Sequence, residues 1–244
     1  MKKMSHIKKY ILIYITLVLG AGSLLPFYAF LFFGPFNLVD LGLQKDHALA
    51  VDAALCLLFF LQHSIVVRKG TRRTLQNLIP ADYYSAFYSI TSSIPLILMI
   101  VLWQKTAIIS SAEGVMYWVI RLLFILGMAG FYWGIKSLGF FDPFGTMNMR
   151  RLINNKPRKT LPLSVKGPYL WVRHPLYFFS LVMIWANPHF SYDRLLFNIM
   201  WTAWIIIGTM LEERDLVADF GDGYRDYQKR VPMLVPYKQP MKQV

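Results

Sequence analysis

Hydrophobic and polar positions alternate along this chain in long blocks. Four apolar runs, Tyr10 to Phe33, Ala48 to Val67, Tyr83 to Trp103 and Val115 to Ile135, each approach the ~20 residues a helix needs to cross a ~30 Å hydrocarbon core. They predict four spanning helices. Two later runs, Leu176 to Ala186 and Leu195 to Leu211, flank the polar segment NPHFSYDR, whose Asn-Pro reads as a turn, and together predict a helical hairpin. At ~1.5 Å per residue the first arm covers about 17 Å, little more than half the hydrocarbon thickness. The pattern predicts an all-α integral membrane protein with about six membrane helices: four spanning, plus the C-terminal hairpin.

The polar blocks divide the chain at Lys136. Residues 1–136 read as an N-terminal four-helix membrane region. Residues 137–244 begin with about thirty residues rich in Gly, Pro and Asn, a length that is functional or disordered when it lacks periodicity. Phe140, Phe141 and Phe144 around Asp142 and Pro143 favour an ordered interfacial segment. Beyond the hairpin, EERDLVADFGDGYRDYQKRVPMLVPY combines polar residues at helical spacing with a Gly-x-Gly break, which predicts a cytoplasmic cap.

Composition supports the membrane reading: 56% of the 244 residues are hydrophobic and 16% charged, against about 25% charged in a typical soluble domain. A net charge of +13 raises the question of nucleic acid, but the basic residues are clustered. Lys2, Lys3, Lys8 and Lys9 precede the first run, and Arg68, Lys69, Arg72 and Arg73 follow the second. Eight lie between Lys136 and Arg173 and six follow Glu213, while the alternate loops hold only Lys45, Lys105 and Arg194. This is the positive-inside pattern with both termini cytoplasmic, in a bacterial inner membrane. No basic stripe is interleaved with stacking aromatics, so lipids are the expected surroundings, nucleic acid is excluded, and no obligate protein partner is inferred. Cys56 is the only cysteine, which excludes an internal disulfide and a thiolate metal cluster; no histidine pair has ligand spacing, so no metal is expected. The N-terminal run is too long for a signal-peptide core and lacks a small-residue cleavage site, so it reads as a retained helix.

The residues with chemistry cluster at the hairpin's ends. Pro175 suits the first helical position, which puts His174 near the N-cap and Arg173 just outside. Helix N–H groups with Arg173 and His174 suit a carboxylate or phosphate. The same residues, with Tyr169, Trp171 and Tyr177, also suit an interfacial anchor. Glu212 and Glu213 close the last apolar run, where acids oppose the helix dipole unless a cation or a salt bridge compensates. Both ends of a hairpin return to one membrane face, so an anion site and a cation site are expected to share a pocket suited to a zwitterion. S-Adenosylmethionine fits: its carboxylate at the helix N-terminus, its ammonium at a glutamate, its sulfonium on tyrosine faces. In the second run, Gln62, His63 and Ser64 form a polar triplet. His63 could take a proton from a thiol or hydroxyl, or bond a neighbouring helix.

These residues resemble the isoprenylcysteine carboxyl methyltransferase superfamily. The shared pattern is Gly167, Tyr169, Arg173, His174, Pro175 and Tyr177, then after the hairpin Glu212, Glu213, Leu216, Phe220, Gly221, Tyr224, Tyr227, Val231 and Pro232. LQHS in the second run and SLGFFDPFG after the fourth look like its NnrU-like and methanethiol S-methyltransferase branch. The resemblance implies a membrane methyltransferase using S-adenosylmethionine, with Tyr169, His174, Pro175, Leu176, Tyr177 and Glu212 as cofactor contacts. It leaves His63 as the base and Arg173 as stabiliser of developing charge. Prenylcysteine enzymes place an arginine one turn before the position of Glu212; here that turn is Gly208, Thr209, Met210 and Leu211. Its absence favours a small apolar thiol such as methanethiol, or a lipid-like acceptor, over carboxyl O-methylation. A membrane NADPH-dependent reductase and a non-catalytic NnrU-like accessory protein remain as alternatives.

Overall fold

A computed structural model of the chain describes residues 5–157, 159 and 162–241. Lys2, Lys3, Arg158 and Lys242 of the basic clusters lie outside the described residues. Among the described residues the protein is helical apart from one small antiparallel strand pair, and five helices are long and apolar enough to cross a membrane. It is an integral membrane protein. The backbone groups into two compact units that interleave along the sequence: Met1–Thr106 with Asp142–Thr160, and Ala107–Phe141 with Leu161–Val244.

In the first unit, α1 (His6–Thr16) runs through a π-type turn (Leu17–Ala21) into α2 (Gly22–Phe33), making one span of 28 residues. The spans α3 (Lys45–Val67) and α5 (Tyr84–Leu102) are joined through the short basic α4 (Lys69–Leu75). Asp52, fully buried on α3, accepts the Gln104 backbone N–H at 2.8 Å. The Gln104 amide in turn donates to the Val39 and Leu102 carbonyls and accepts from Leu41 N–H, closing the end of α5. The expected ordered segment around Asp142 is present: its carboxylate accepts the Met147 and Asn148 amides and starts α7 (Thr146–Ile153). Met149 and Ile153 of α7 pack with Ile13 and Ala86.

The second unit holds the strand β1 (Ile108–Ser111), α6 (Gly114–Ser137), a 3-10 turn (Gly167–Leu170) and α8 (Pro175–Trp185). The strand β2 (His189–Ser191), α9 (Tyr192–Phe220) and α10 (Asp222–Arg230) complete it. One face of α6 exposes Val115, Trp118, Leu122 and Leu126, an apolar surface suited to lipid. Its other face carries Gly127, Gly130 and Gly134, against which Met183, Phe179 and Leu176 of α8 sit so closely that a Cβ would collide with each. The two helices run antiparallel.

Two features differ from the expectations. The segment NPHFSYDR is not a simple turn: β2 pairs with β1, and the Arg194 guanidinium donates to the Ile184 carbonyl at 3.0 Å, satisfying the end of the short α8. The extended stretch after Trp185 thus carries the chain on to pair with β1. Second, α9 does not stop at Leu211 but continues to Phe220, ending at Gly221 with a φ of +58°. Glu212 and Glu213 are therefore about two turns inside the helix, where the dipole penalty expected of them is weak. Leu216 and Val217 continue the apolar spacing and pack on Tyr224, Tyr227 and Val231, which sustains the helix.

Candidate active site

The site is assembled in the second unit where α8 begins and α9 nears its end. Gly167 has a φ of +57° and lies against Ser137 and Trp133, a conformation and clearance that favour glycine. The backbone then meets the C-terminal segment: Arg173 N–H donates to the Pro232 carbonyl at 2.9 Å, and His174 N–H to Met233 at 3.1 Å. Pro175 opens α8 and His174 takes the N-cap position before it, as the sequence predicts.

Glu213, whose side chain is 10% exposed, is the hub. Its carboxylate accepts from Arg173 Nε at 2.9 Å and Nη2 at 2.7 Å, from His174 Nε2 at 2.6 Å, and from the Tyr224 hydroxyl at 2.7 Å. Gln228 supplies a fifth donor. A carboxylate bound by a guanidinium fork is acceptor-only, so His174 carries a proton on Nε2. Arg173 Nη1 donates to the carbonyls of Gln228 and Val231. Burial lowers the basicity of Arg173, but the bond to Glu213 and its charge outweigh this and hold the group above its ordinary value. The Tyr224 phenol is pushed up by burial and by donating to Glu213, so it stays neutral.

Glu212, one residue earlier, has a different environment. Its side chain is 42% exposed, takes a hydrogen bond from the Tyr177 hydroxyl at 2.7 Å, and lies 3.8 Å from His174 Nδ1. The His174 and Tyr177 rings are stacked, with centroids 5.6 Å apart and 8° between planes. Tyr169 is buried, its carbonyl accepts the Tyr227 hydroxyl, and its phenol is pushed up by burial and by the charge of Glu212. Tyr169, His174, Pro175, Leu176, Tyr177 and Glu212 thus form one neighbourhood around the first turn of α8. There the Phe178 N–H donates to the His174 carbonyl at 3.0 Å, and Pro175 has no N–H to leave unpaired.

The geometry alters the roles expected of the two cations. Arg173 and His174 do not face an open anion site; both are engaged by Glu213, the salt-bridge alternative for that acid. Gln228 carries no candidate role in the sequence reading and Glu213 only that of a cation or salt-bridge partner; the signal that points to Glu213 is its pairing with Glu212 ahead of two spaced tyrosines. His63 belongs to the first unit, where its ring is hydrogen-bonded to the Tyr88 hydroxyl. Among the described residues, no three His, Cys, Asp or Glu side chains are grouped to hold a metal ion.

The chain is similar to several curated proteins named methanethiol S-methyltransferase. The one from Pseudomonas sp. (strain GM41(2012)) is 39% identical over 82% of this chain and 78% of its own length. That from Pseudomonas deceptionensis is 36% identical over 78% and 73%. That from Mycobacterium tuberculosis is 31% identical over 92% and 97%. No solved structure matches. The NnrU protein family profile matches residues 53–214, which runs from α3 through Glu212 and Glu213. By that match over more than half its length, and by relatives above 30% identity along most of theirs, this chain belongs to the NnrU family.

Proposed function

We propose that this protein is a membrane methyltransferase that moves a methyl group from S-adenosylmethionine to a small thiol such as methanethiol. The observation that carries the reading is the exposed Glu212 carboxylate set beside the stacked His174 and Tyr177 rings at the start of α8. One neighbourhood offers an acid for an ammonium and the positive end of the α8 dipole for a carboxylate. Tyr177, stacked on His174, and Tyr169 add aromatic faces that attract a sulfonium. Relatives named methanethiol S-methyltransferase supply the acceptor class.

When bound, S-adenosylmethionine supplies an electrophilic methyl on a positively charged sulfur. Glu212, with the rings of Tyr169 and Tyr177, would hold it so that a thiolate could displace the methyl in line, the electron pair of the broken carbon–sulfur bond staying on the departing thioether. The thiol proton goes to a base. The protein contributes alignment and exclusion of water. Glu212 and the first turn of α8 orient the donor, while Glu213 fixes His174, and with it the ring that stacks on Tyr177. Arg173, its donors engaged within the protein, acts as a positioning residue and not on developing charge. The basic clusters favour a cytoplasmic location for the donor end and for both termini, with α8 and the strand that follows serving as the sixth crossing.

Calorimetric titration of the detergent-solubilised protein with S-adenosylmethionine tests the cofactor. Saturable binding that weakens in Glu212→Ala is expected. Mass spectrometry then tests the acceptor through conversion of methanethiol to dimethyl sulfide. Binding of NADPH in place of S-adenosylmethionine would select a reductase, and binding of neither would select an accessory protein.

A further inference from the structure

The polypeptide beyond α9 presents two kinds of surface. On α10 the exposed side chains are those of Asp222, Arg225, Asp226, Lys229 and Arg230, while Tyr224 and Tyr227 are buried. Among the described residues of α10, none that is large and hydrophobic is exposed. The strap that follows, residues 231–241, is the reverse. Val231, Pro232 and Leu234 are buried, but Val235 is 64% and Tyr237 73% exposed, with exposed Pro236 between them. Single exposed apolar side chains are ordinary; two at this exposure on one short turn, beside a helix that has none, call for a cover.

The backbone fixes the level at which the strap lies. The Arg173 and His174 amides donate to its Pro232 and Met233 carbonyls, and its Met241 N–H donates to the Leu170 carbonyl at 3.0 Å. Both ends are thus bonded to the residues that lead into the apolar helix α8, where the chain passes from polar to hydrocarbon surroundings. Trp171, adjoining one of those bonds, is 47% exposed; an indole and a phenol suit this depth, where one end of the ring is apolar and the other wet. The Tyr237 N–H turns back to the Val235 carbonyl at 2.9 Å, so the two exposed side chains flank one tight turn. Lys238 Nζ donates to the Lys229 carbonyl at 3.2 Å and lies 5.7 Å from the centre of the Tyr237 ring, which presents charge and ring together. From Arg230 to Met241 the chain carries Arg230 and Lys238, both exposed, and no acid.

We propose that the turn at Val235 and Tyr237 is a membrane-docking surface. It seats Val235 and the Tyr237 ring among the headgroups of the bilayer that α8 enters, with Lys238 against anionic phospholipid, while α10 faces water. Cations without a neighbouring acid complement a phosphodiester. A second copy of the chain is a poorer occupant, because two side chains on a turn fall far short of the about 20 residues a side of a stable interface. Docking of this kind does not depend on which reaction the site performs. Through the bonds to Arg173 and His174 it holds the start of α8 at the headgroup level.

The test places one nitroxide label on the full chain in lipid nanodiscs, at Val235→Cys, Tyr237→Cys or, as the water-facing control, Arg225→Cys. Cys56→Ala removes the native thiol; should that variant not fold, Cys56 stays, since it is buried on α3 and protein without an added cysteine gives its background. Power-saturation resonance compares collisions with oxygen, which concentrates in the bilayer, and with a nickel chelate, which stays in water. The oxygen-to-nickel ratio at 235 and 237 is expected to exceed that at 225 by about threefold or more. It is expected to rise further when phosphatidylglycerol replaces part of the phosphatidylcholine, and Lys238→Gln to remove that rise. Equal ratios at all three positions would overturn the docking surface. A high ratio indifferent to phosphatidylglycerol would overturn the anionic headgroup as its partner, and dipolar broadening between labels at 237 would put a second copy there instead.

Discussion

Glu212 and Glu213 are neighbours on one helix, yet they stand in two different regions. On the Glu213 side, a carboxylate almost removed from water is matched by Arg173 and saturated by His174, Tyr224 and Gln228, and the same cluster ties the C-terminal segment to the start of α8. On the Glu212 side, the carboxylate keeps one tyrosine donor and open access. A 100° step around the helix separates an acid that holds the protein together from one left available to a ligand. The difference is in the number of donors, not in the residue type. It predicts that substitutions on the first side are read in stability and on the second in binding.

The sharpest way to break the comparison is Glu213→Ala. It leaves the Arg173 guanidinium buried without its partner and strips the acceptor from His174, Tyr224 and Gln228. Removing one member of a buried pair costs about 3–5 kcal/mol, a large part of the stability of most domains. Thermal unfolding followed by circular dichroism is expected to show a loss of that size, with poor recovery from the membrane. A variant as stable as wild type would place Glu213 in the same class as Glu212.

Gly130→Val probes the apolar seam below the site, where α6 and α8 touch. The Phe179 ring occupies the place of the added side chain, so α8 must move. Overpacking of this kind costs about 1–3 kcal/mol. Because α8 carries Tyr177 and follows directly on His174, donor affinity measured by calorimetry is expected to fall together with the melting temperature. Separation of the two readouts would mean that the seam does not position the site.

Much of this was legible in the sequence, for physical reasons that also explain the rest. The four long spans were, because twenty consecutive apolar residues have few alternatives. The start of α8 was, because proline is favoured at the first position of a helix, where its missing N–H costs nothing. The extent of α9 was not: hydropathy falls at Glu212, while the helix is sustained by Leu216 and Val217 packing on Tyr224 and Tyr227, contacts invisible in a local window. The strand pair was hidden for the same reason, since Ile108–Ser111 and His189–Ser191 lie some eighty residues apart. At the site, the charges of Arg173, His174 and the two glutamates were apparent, but not which acid would take the cations. That depends on register: Glu213 falls on the buried face of α9 and Glu212 beside it.

Tyr224→Phe weakens the Glu213 cluster without dismantling it. The phenylalanine fills the same volume and removes one donor from a charged acceptor that keeps four others. Such a bond contributes about 1.5–3 kcal/mol, so the melting temperature is expected to fall by less than in Glu213→Ala. With Glu213→Ala as background the same substitution should cost little more, since the acceptor is already gone; a full additive loss would mean that Tyr224 acts independently of Glu213.

Glu212→Gln is the smallest change and the most discriminating. It keeps the side-chain volume and an oxygen for the Tyr177 hydroxyl, and it removes a charge that no buried cation needs. An exposed substitution of this kind shifts stability by no more than ~0.5 kcal/mol. The lost charge matters only to a cationic ligand, so affinity for S-adenosylmethionine is expected to fall by ~10-fold or more, equivalent to about 1.4 kcal/mol. Sinefungin, which keeps the amino-acid ammonium, should lose as much, whereas an analogue without the amino group should bind both proteins alike. Equal losses for all three ligands would show that Glu212 shapes the pocket and does not hold the ammonium.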